Sequence, residues 1–429
     1  MADQPNILFI STDQQFAGAM SCAGNENLST PGMDRIAANG TRFERAYCPH
    51  PLCCPARASY MSGKMPHEAG VESNGMSFHQ ELIPQSIGNV MRSAGYKAAL
   101  AGKWHVPGVS PEDLGLDVLC PMNDALVPEV SADYFNNGDK PFFLFASFIN
   151  PHDICQVARN QDFPQGPVPS ATLEDCPGLP ENFAIPPYAP EALQMLRQRS
   201  PRIYPTLEWT DDDWRHFRHA YYRLCEKVDA EVVRLLDALD ASGKADNTVV
   251  IFTSDHGDGH GAHHWNQKTA LWEEEIRIPM LVSAPGGQSG QVSHRLVSNG
   301  LDLLPTACDY AGVARPDGLE GLSLRQIVEG SESTDWREEL FVETQINFGD
   351  GPGGPSYARA MVTDQYKYSV YLMGQNREQL VDLQEDPGEM VNLAVESRHR
   401  DTLLDCRDRL RAWGERTEDP GVKVVPTQG

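Results

Sequence analysis

Four near-continuous apolar runs, at residues 6–12, 97–101, 142–149 and 248–253, predict strands buried on both faces. Between them the period changes. Residues 33–39, closed by Gly40, and a longer stretch with Phe217, Tyr221, Leu224, Val228, Val232, Leu235 and Leu239 at three-to-four spacing predict helices. Strands alternating with helices predict an α/β fold: a large domain with a central, mostly parallel mixed sheet flanked by helices. From Pro151 to Pro205 prolines interrupt any periodicity, which predicts an irregular, lid-like stretch. After about Glu339 the texture shifts to short strand-like runs, 357–362 and 366–371, preceded by the Gly/Pro-rich loop 349–355. A final helix carries Leu403, Cys406, Leu410 and Trp413 on one face. The expected domains are 1–338 and 339–429, the second a small α+β unit with an antiparallel sheet and a terminal helix.

Length agrees with two domains, because single cores stop growing near about 250–300 residues and the chain has 429. At 40% hydrophobic and 22% charged, the composition is that of an ordinary globular protein. A net charge of -25 excludes nucleic acid and anionic membranes as main partners, and it implies that any anionic substrate meets locally concentrated positive charge. The N-terminus has no basic region and the apolar run 7–10 is too short for a signal peptide or a span. A soluble, cytoplasmic chain is expected, or a periplasmic or secreted one if a signal has been removed. Ten cysteines without regular spacing read as reduced thiols.

Ionisable residues follow all four predicted strands: Asp13, then Lys103 and His105, then His152 and Asp153, then Asp255 and His256. Ligands of open α/β sheets bind at the carboxyl ends of strands, so four such exits point to one convergent site, although any exit alone reads as loop solvation. The densest segment is 51–64, PLCCPARASYMSGK. Pro55 suits a first helical turn, which sets Cys53 at a helix N-terminus where backbone N–H groups favour an anion. A lone cysteine is more often a buried thiol than a nucleophile. Zinc lacks a second C-x-x-C or a spaced histidine pair. A Cys-x5-Arg phosphatase fails because Arg57 lies four residues after Cys53 and three after Cys54.

Cys53-x-Pro55-x-Arg57, with Ser62-Gly63-Lys64 downstream, resembles the signature of type I, formylglycine-dependent sulfatases, members of the alkaline-phosphatase-like superfamily. The likeness continues in order through Asp13-Gln14, Gly102-Lys103-Trp104-His105, Asn150-Pro151-His152, Thr253-Ser254-Asp255-His256-Gly257 and Lys268 with Glu273, Glu274, Arg277 and Pro279. It reaches Tyr366-Lys367-Tyr368 and the 382–389 stretch DLQEDPGE. The resemblance implies a catalytic set of Cys53, Arg57, Lys103, His105, His152 and Lys268, with Cys53 oxidised to formylglycine by an activating enzyme. Cys54 is then a spectator. It also implies a divalent cation held by Asp13, Gln14, Asp255, His256 and an oxygen on the modified Cys53: calcium by resemblance, with manganese or magnesium open because His256 adds a nitrogen to hard oxygen donors.

These residues make a coherent hydrolase. The metal with Lys103, His152 and Lys268 would neutralise the sulfuryl oxygens, His152 or Lys268 would protonate the leaving alcohol, and His105 would take a proton from the aldehyde hydrate. Arg57 would orient that hydrate. The implied activity is release of sulfate from an organic sulfate ester, a small molecule or an oligosaccharide. The runner-up is a phosphonate monoester or phosphodiester hydrolase, which resembles this chain in its Asp13-Gln14 and Asp255-His256 pairs. A non-catalytic anion- or glycan-binding homologue is a third reading. Trp104, Trp265 and Trp272 are candidates for stacking on sugar rings, packing being commoner. His260, His263 and His264 read as pocket lining or a solvated loop more readily than as a second metal tract.

Overall fold

The computed structural model describes residues 4–138, 140–199, 205–331, 335–346 and 356–427, so the loop at 349–355 lies outside the described residues. The strands are β1 (Asn6–Asp13), β2 (Thr41–Phe43), β3 (Ala46–Tyr47), β4 (Lys97–Gly102), β5 (Asp117–Cys120), β6 (Phe142–Pro151), β7 (Thr248–Ser254), β8 (Met280–Ser283), β9 (Gln291–Ser293) and β10 (Val297–Ser298), then β11 (Glu339–Ile346), β12 (Ser356–Thr363), β13 (Tyr366–Tyr371) and β14 (Glu378–Asp382). Eight of them form one sheet in the order β5-β4-β6-β1-β7-β8-β2-β9. Its centre, β5 to β7, is parallel, and β8 alone runs antiparallel to its neighbours.

The continuous apolar runs are explained by two cores, one on each face of this sheet. On β1, Ile7 and Phe9 point into one and Leu8 and Ile10 into the other. The second core is covered by the long helix predicted around Val228 and Leu235, which spans Asp211–Ala241 and starts where Thr210 accepts from the Asp213 N–H in a capping box. The first core is covered by the helices Cys53–Ser62 and Asn299–Ala311.

The short strands near the C-terminus form a separate antiparallel sheet, β11-β12-β13-β14. One face, with Leu340, Val342, Ala358 and Ala360, packs into the same core as Ile7 and Phe9. The other carries Met361, Tyr368 and Val370 and is closed by the terminal helix Arg400–Arg416 through Leu403, Cys406, Leu410 and Trp413. The proline-rich stretch is less irregular than its sequence suggests: it contains helices at Cys155–Arg159 and Glu191–Arg199, because prolines fall outside those segments and leave their backbone free to hydrogen-bond. All ten cysteines are free. Among the described residues no helix is long and apolar enough to cross a membrane.

Candidate active site

Strand register builds most of the site. Asp13 lies opposite Pro151 on β6, and Thr12 lies opposite Ser254 on β7. The next residues, His152 and Asp255, therefore flank Asp13 at the carboxyl edge of the sheet. On the far side of β6, Gly102 pairs with Ser147, which delivers Lys103 to the same edge. Lys103 Nζ reaches Asp13 Oδ2 at 2.5 Å, and His152 Nε2 lies 4.0 Å from Asp13 Oδ1. Asp153 turns away, its carboxylate accepting from the Gln165 N–H.

Cys53 enters from above, as the first residue of its helix and 1% exposed. Its Sγ is 3.3 Å from His256 Nε2, 3.8 Å from Asp13 Oδ1 and 3.1 Å from Lys268 Nζ. His256 Nδ1 lies 2.8 Å from the Gly257 carbonyl, and donation there leaves the Nε2 lone pair facing the sulfur. Burial and Asp13 oppose a thiolate at Cys53, but the ammonium groups of Lys268 and Lys103 favour it and its pKa is held well below the usual thiol range. Cys54 differs: burial and the neighbouring Cys53 push its thiol up to about 12.

Arg57 binds the carboxylates that lie beside the nucleophile. Its guanidinium donates to Asp255 Oδ2 at 2.8 Å, Ser147 Oγ at 2.8 Å and Asp13 Oδ2 at 3.1 Å, so it straps the two carboxylates together. Desolvation works against both acids. Asp13 is nevertheless held well below its ordinary range by Lys103, His152 and Arg57, whereas burial and the charge of Asp13 lift Asp255 to about 6. Burial and Lys268 lower His152 to about 4. Lys268 is raised despite its burial, because Cys53 and Asp13 favour the ammonium.

Ligand atoms of Asp13, Cys53, Asp255 and His256 lie within 4.8 Å of one another, all buried. Two desolvated carboxylate groups and an imidazole lone pair converging on one point fit a divalent cation of the hard or borderline kind. Gln14, at a left-handed φ of 70°, donates its backbone N–H to Asp255 Oδ1, while its side chain is held by Asp258 and Cys155. His105 is half-buried, and among the described residues its Nδ1 has no hydrogen-bond partner. Among the described residues no hydrogen bond or ion pair joins it to Cys53.

Trp265 and Trp272 are 1% and 3% exposed core residues, so packing, the commoner reading, holds for these two, while Trp104 is half-buried with its indole N–H donating to the Val109 carbonyl. His260 and His263 are buried: His260 lines a pocket beside Phe16 and Tyr222, as the pocket-lining reading expects, and His263 stacks on Trp272. Sequence reasoning missed Ser147, which completes the Arg57 clamp, and Asp258, whose carboxylate accepts from Gln14 Nε2 and from the N–H groups of His260 and Gln267. Asp258 follows the Asp255-His256-Gly257 turn directly, which was the available signal.

Comparison with known proteins agrees with this geometry. Residues 5–313 match the sulfatase family model, and 261–415 match the model described as N-sulphoglucosamine sulphohydrolase, C-terminal. The chain is 30% identical to the Delta 4,5-hexuronate-2-O-sulfatase of Bacteroides thetaiotaomicron, over 97% of this chain and 90% of that protein. It superposes on the solved structure of a 2-O GAG sulfatase with a TM-score of 0.85 at 29% identity, covering 97% and 93% of the two chains. The phosphonate monoester hydrolase of Agrobacterium radiobacter, at 21% identity, a TM-score of 0.77 and 95% coverage of each chain, shares the fold. With nucleophile segment, carboxylate cluster and sheet exits in the expected order, this chain belongs to the sulfatase family, hydrolases of sulfate esters built on the alkaline-phosphatase-like fold.

Proposed function

We propose that this protein releases sulfate from a sulfated carbohydrate, using Cys53 as its formylglycine derivative and a divalent cation, calcium in preference to manganese or magnesium. The observation that carries this reading is the buried group of Asp13, Cys53, Asp255 and His256, with Lys268 Nζ 3.1 Å from the Cys53 sulfur. Its most direct support for a carbohydrate is the likeness to a relative named as a hexuronate 2-O-sulfatase.

Asp13, Asp255 and His256, joined by Gln14, would hold the cation, which when bound supplies Lewis-acid polarisation of the sulfuryl oxygens. A separate activating enzyme would convert Cys53 to the aldehyde, and its hydrate, formed by addition of water, would supply a nucleophilic hydroxyl and a second one whose proton can leave. Arg57 keeps the two carboxylates in register. Lys103 balances the charge of Asp13, and His152 and Lys268 flank the bound anion and serve the departing oxygen. His105, two residues beyond Lys103, is placed to take the second hydroxyl's proton when substrate closes the site. The division near 338/339 then separates the residues that react from a sheet that supports them.

Intact-mass and peptide analysis of the expressed protein should show Cys53 lighter by about 18 Da, the thiol-to-aldehyde change. The modified enzyme should cleave sugar sulfates in a panel with aryl sulfate, choline sulfate, a phosphodiester and a phosphonate monoester, and Cys53→Ala should be inactive. Full activity with an unmodified Cys53, or a preference for the phosphorus esters, overturns the proposal.

A further inference from the structure

Lys268 does not sit at a strand exit. It reaches Cys53 from the loop between β7 and β8, fourteen residues past Ser254. Both of its neighbours are non-glycine residues in the left-handed region, Gln267 at φ 68° and Thr269 at φ 79°. L-residues hold that conformation only where their surroundings enforce it. Something must therefore keep this loop from relaxing and withdrawing the ammonium.

The C-terminal sheet grips the loop on the far side of Lys268. On β11, Thr344 Oγ1 donates to the Thr269 carbonyl at 3.0 Å. On β13, Tyr371 Oη accepts from the Leu271 N–H at 3.3 Å, and Lys367 Nζ donates to the Leu271 carbonyl at 2.8 Å. Glu389, just beyond β14, accepts from the Glu273 N–H at 2.7 Å. Lys367 also pairs with Glu389 at 2.6 Å and with Glu273 at 3.2 Å. Thr344, Lys367, Tyr371 and Glu389 are each no more than 1% exposed. Burying a lysine and two glutamates is costly unless the groups satisfy one another, as they do here. On the other side, the Thr269 N–H donates to the carbonyl of Pro51, two residues before Cys53, so one short loop is tied both to the nucleophile segment and to the second sheet.

We propose that the C-terminal sheet is a positioning device for Lys268, with Thr344, Lys367, Tyr371 and Glu389 as positioning residues that act on the reaction through that lysine. This rests on the role given to Lys268 above. It explains why the small sheet shares the main core: a sheet docked loosely could not fix a loop to the sub-ångström tolerance that catalysis demands.

The test is a double-mutant cycle on fully modified, metal-loaded enzyme with a 2-O-sulfated hexuronate as the probe, whose alkoxide leaving group needs a proton. Thr344→Val with Tyr371→Phe removes two of the grips at nearly constant volume, and is combined with intact Lys268 and with Lys268→Met. Positioning predicts that the pair lowers kcat about tenfold with KM changed less than about twofold when Lys268 is present. In Lys268→Met it lowers kcat by less than about twofold, because no ammonium remains to be misplaced. Equal losses in both backgrounds assign the sheet a general structural role and overturn the proposal, as does no loss with Lys268 intact. If Lys268→Met itself leaves kcat unchanged, the reading of Lys268 fails and takes this proposal with it. A large Lys268→Met loss with an additive cycle sinks only the positioning role. Thermal melts of all four proteins establish that each is folded.

Discussion

Arg57→Met is the most revealing single change outside the nucleophile. The guanidinium is 1% exposed and makes three hydrogen bonds, two of them to the carboxylates of Asp13 and Asp255. Methionine fills much of the space but leaves two buried acids facing each other without that cation. Removing one partner of a buried ion pair costs about 3–5 kcal/mol. Unfolding entropy near 2.1 cal/mol/K per residue gives about 0.9 kcal/mol/K for a chain of 429 residues, so the melting temperature should fall by about 3–6 °C. That figure applies with metal removed. A divalent cation seated between Asp13 and Asp255 returns positive charge to the same carboxylates, so millimolar calcium should recover at least about half of the loss by linkage. Calorimetric scans of wild type and Arg57→Met, each in chelator and in calcium, read both effects. A shift under about 1 °C in chelator would mean that the strap carries little energy, well below the range for a broken buried pair. A loss that calcium leaves unchanged would mean that these carboxylates are not the metal's seat.

Three other outcomes follow from particular contacts. Asp258→Asn weakens the hold on Gln14 and should lower calcium affinity about 10–100-fold, measured by isothermal titration; unchanged affinity removes Asp258 from the metal's support. His67, beside Glu343 at 2.5 Å, is raised to about 9 because Glu343 outweighs burial. A raised folded pKa contributes stability that is complete below about 6.5 and lost as pH climbs through about 9, worth about 3 kcal/mol, so urea melts should show wild type and His67→Gln converging by about pH 10. A fragment ending at residue 338 should fail to give a cooperative melt, since it strips Leu340, Val342, Ala358 and Ala360 from the core that holds Ile7 and Phe9; a cooperative melt near that of the full chain would establish 1–338 as an independent domain.

How far the sequence reached can be judged strand by strand. The runs at 6–12, 97–101, 142–149 and 248–253 became β1, β4, β6 and β7 with ends moved by one or two residues, because strands buried on both faces leave an uninterrupted apolar signature. Strands at sheet margins, such as β5 with exposed Asp117 and Val118, left no such signature. Lys103, His152, Asp255 and His256 were legible as exits of those strands, and their meeting point follows from parallel register.

By itself the amino-acid order determined the kinds of element, the setting of Cys53 relative to Pro55 and Arg57, and which ionisable residues leave the sheet at one edge. These are properties of near neighbours and of simple periods, which a chain carries locally. Only the tertiary structure decided that Arg57 binds Asp13 and Asp255, that Asp153 turns outward, that Trp265 and Trp272 are core, and that Lys268 is gripped from the second sheet. Those outcomes join residues far apart in sequence, whose meeting no local period dictates. Which partner each meets is set by how the two sheets pack, and packing is a property of the assembled core.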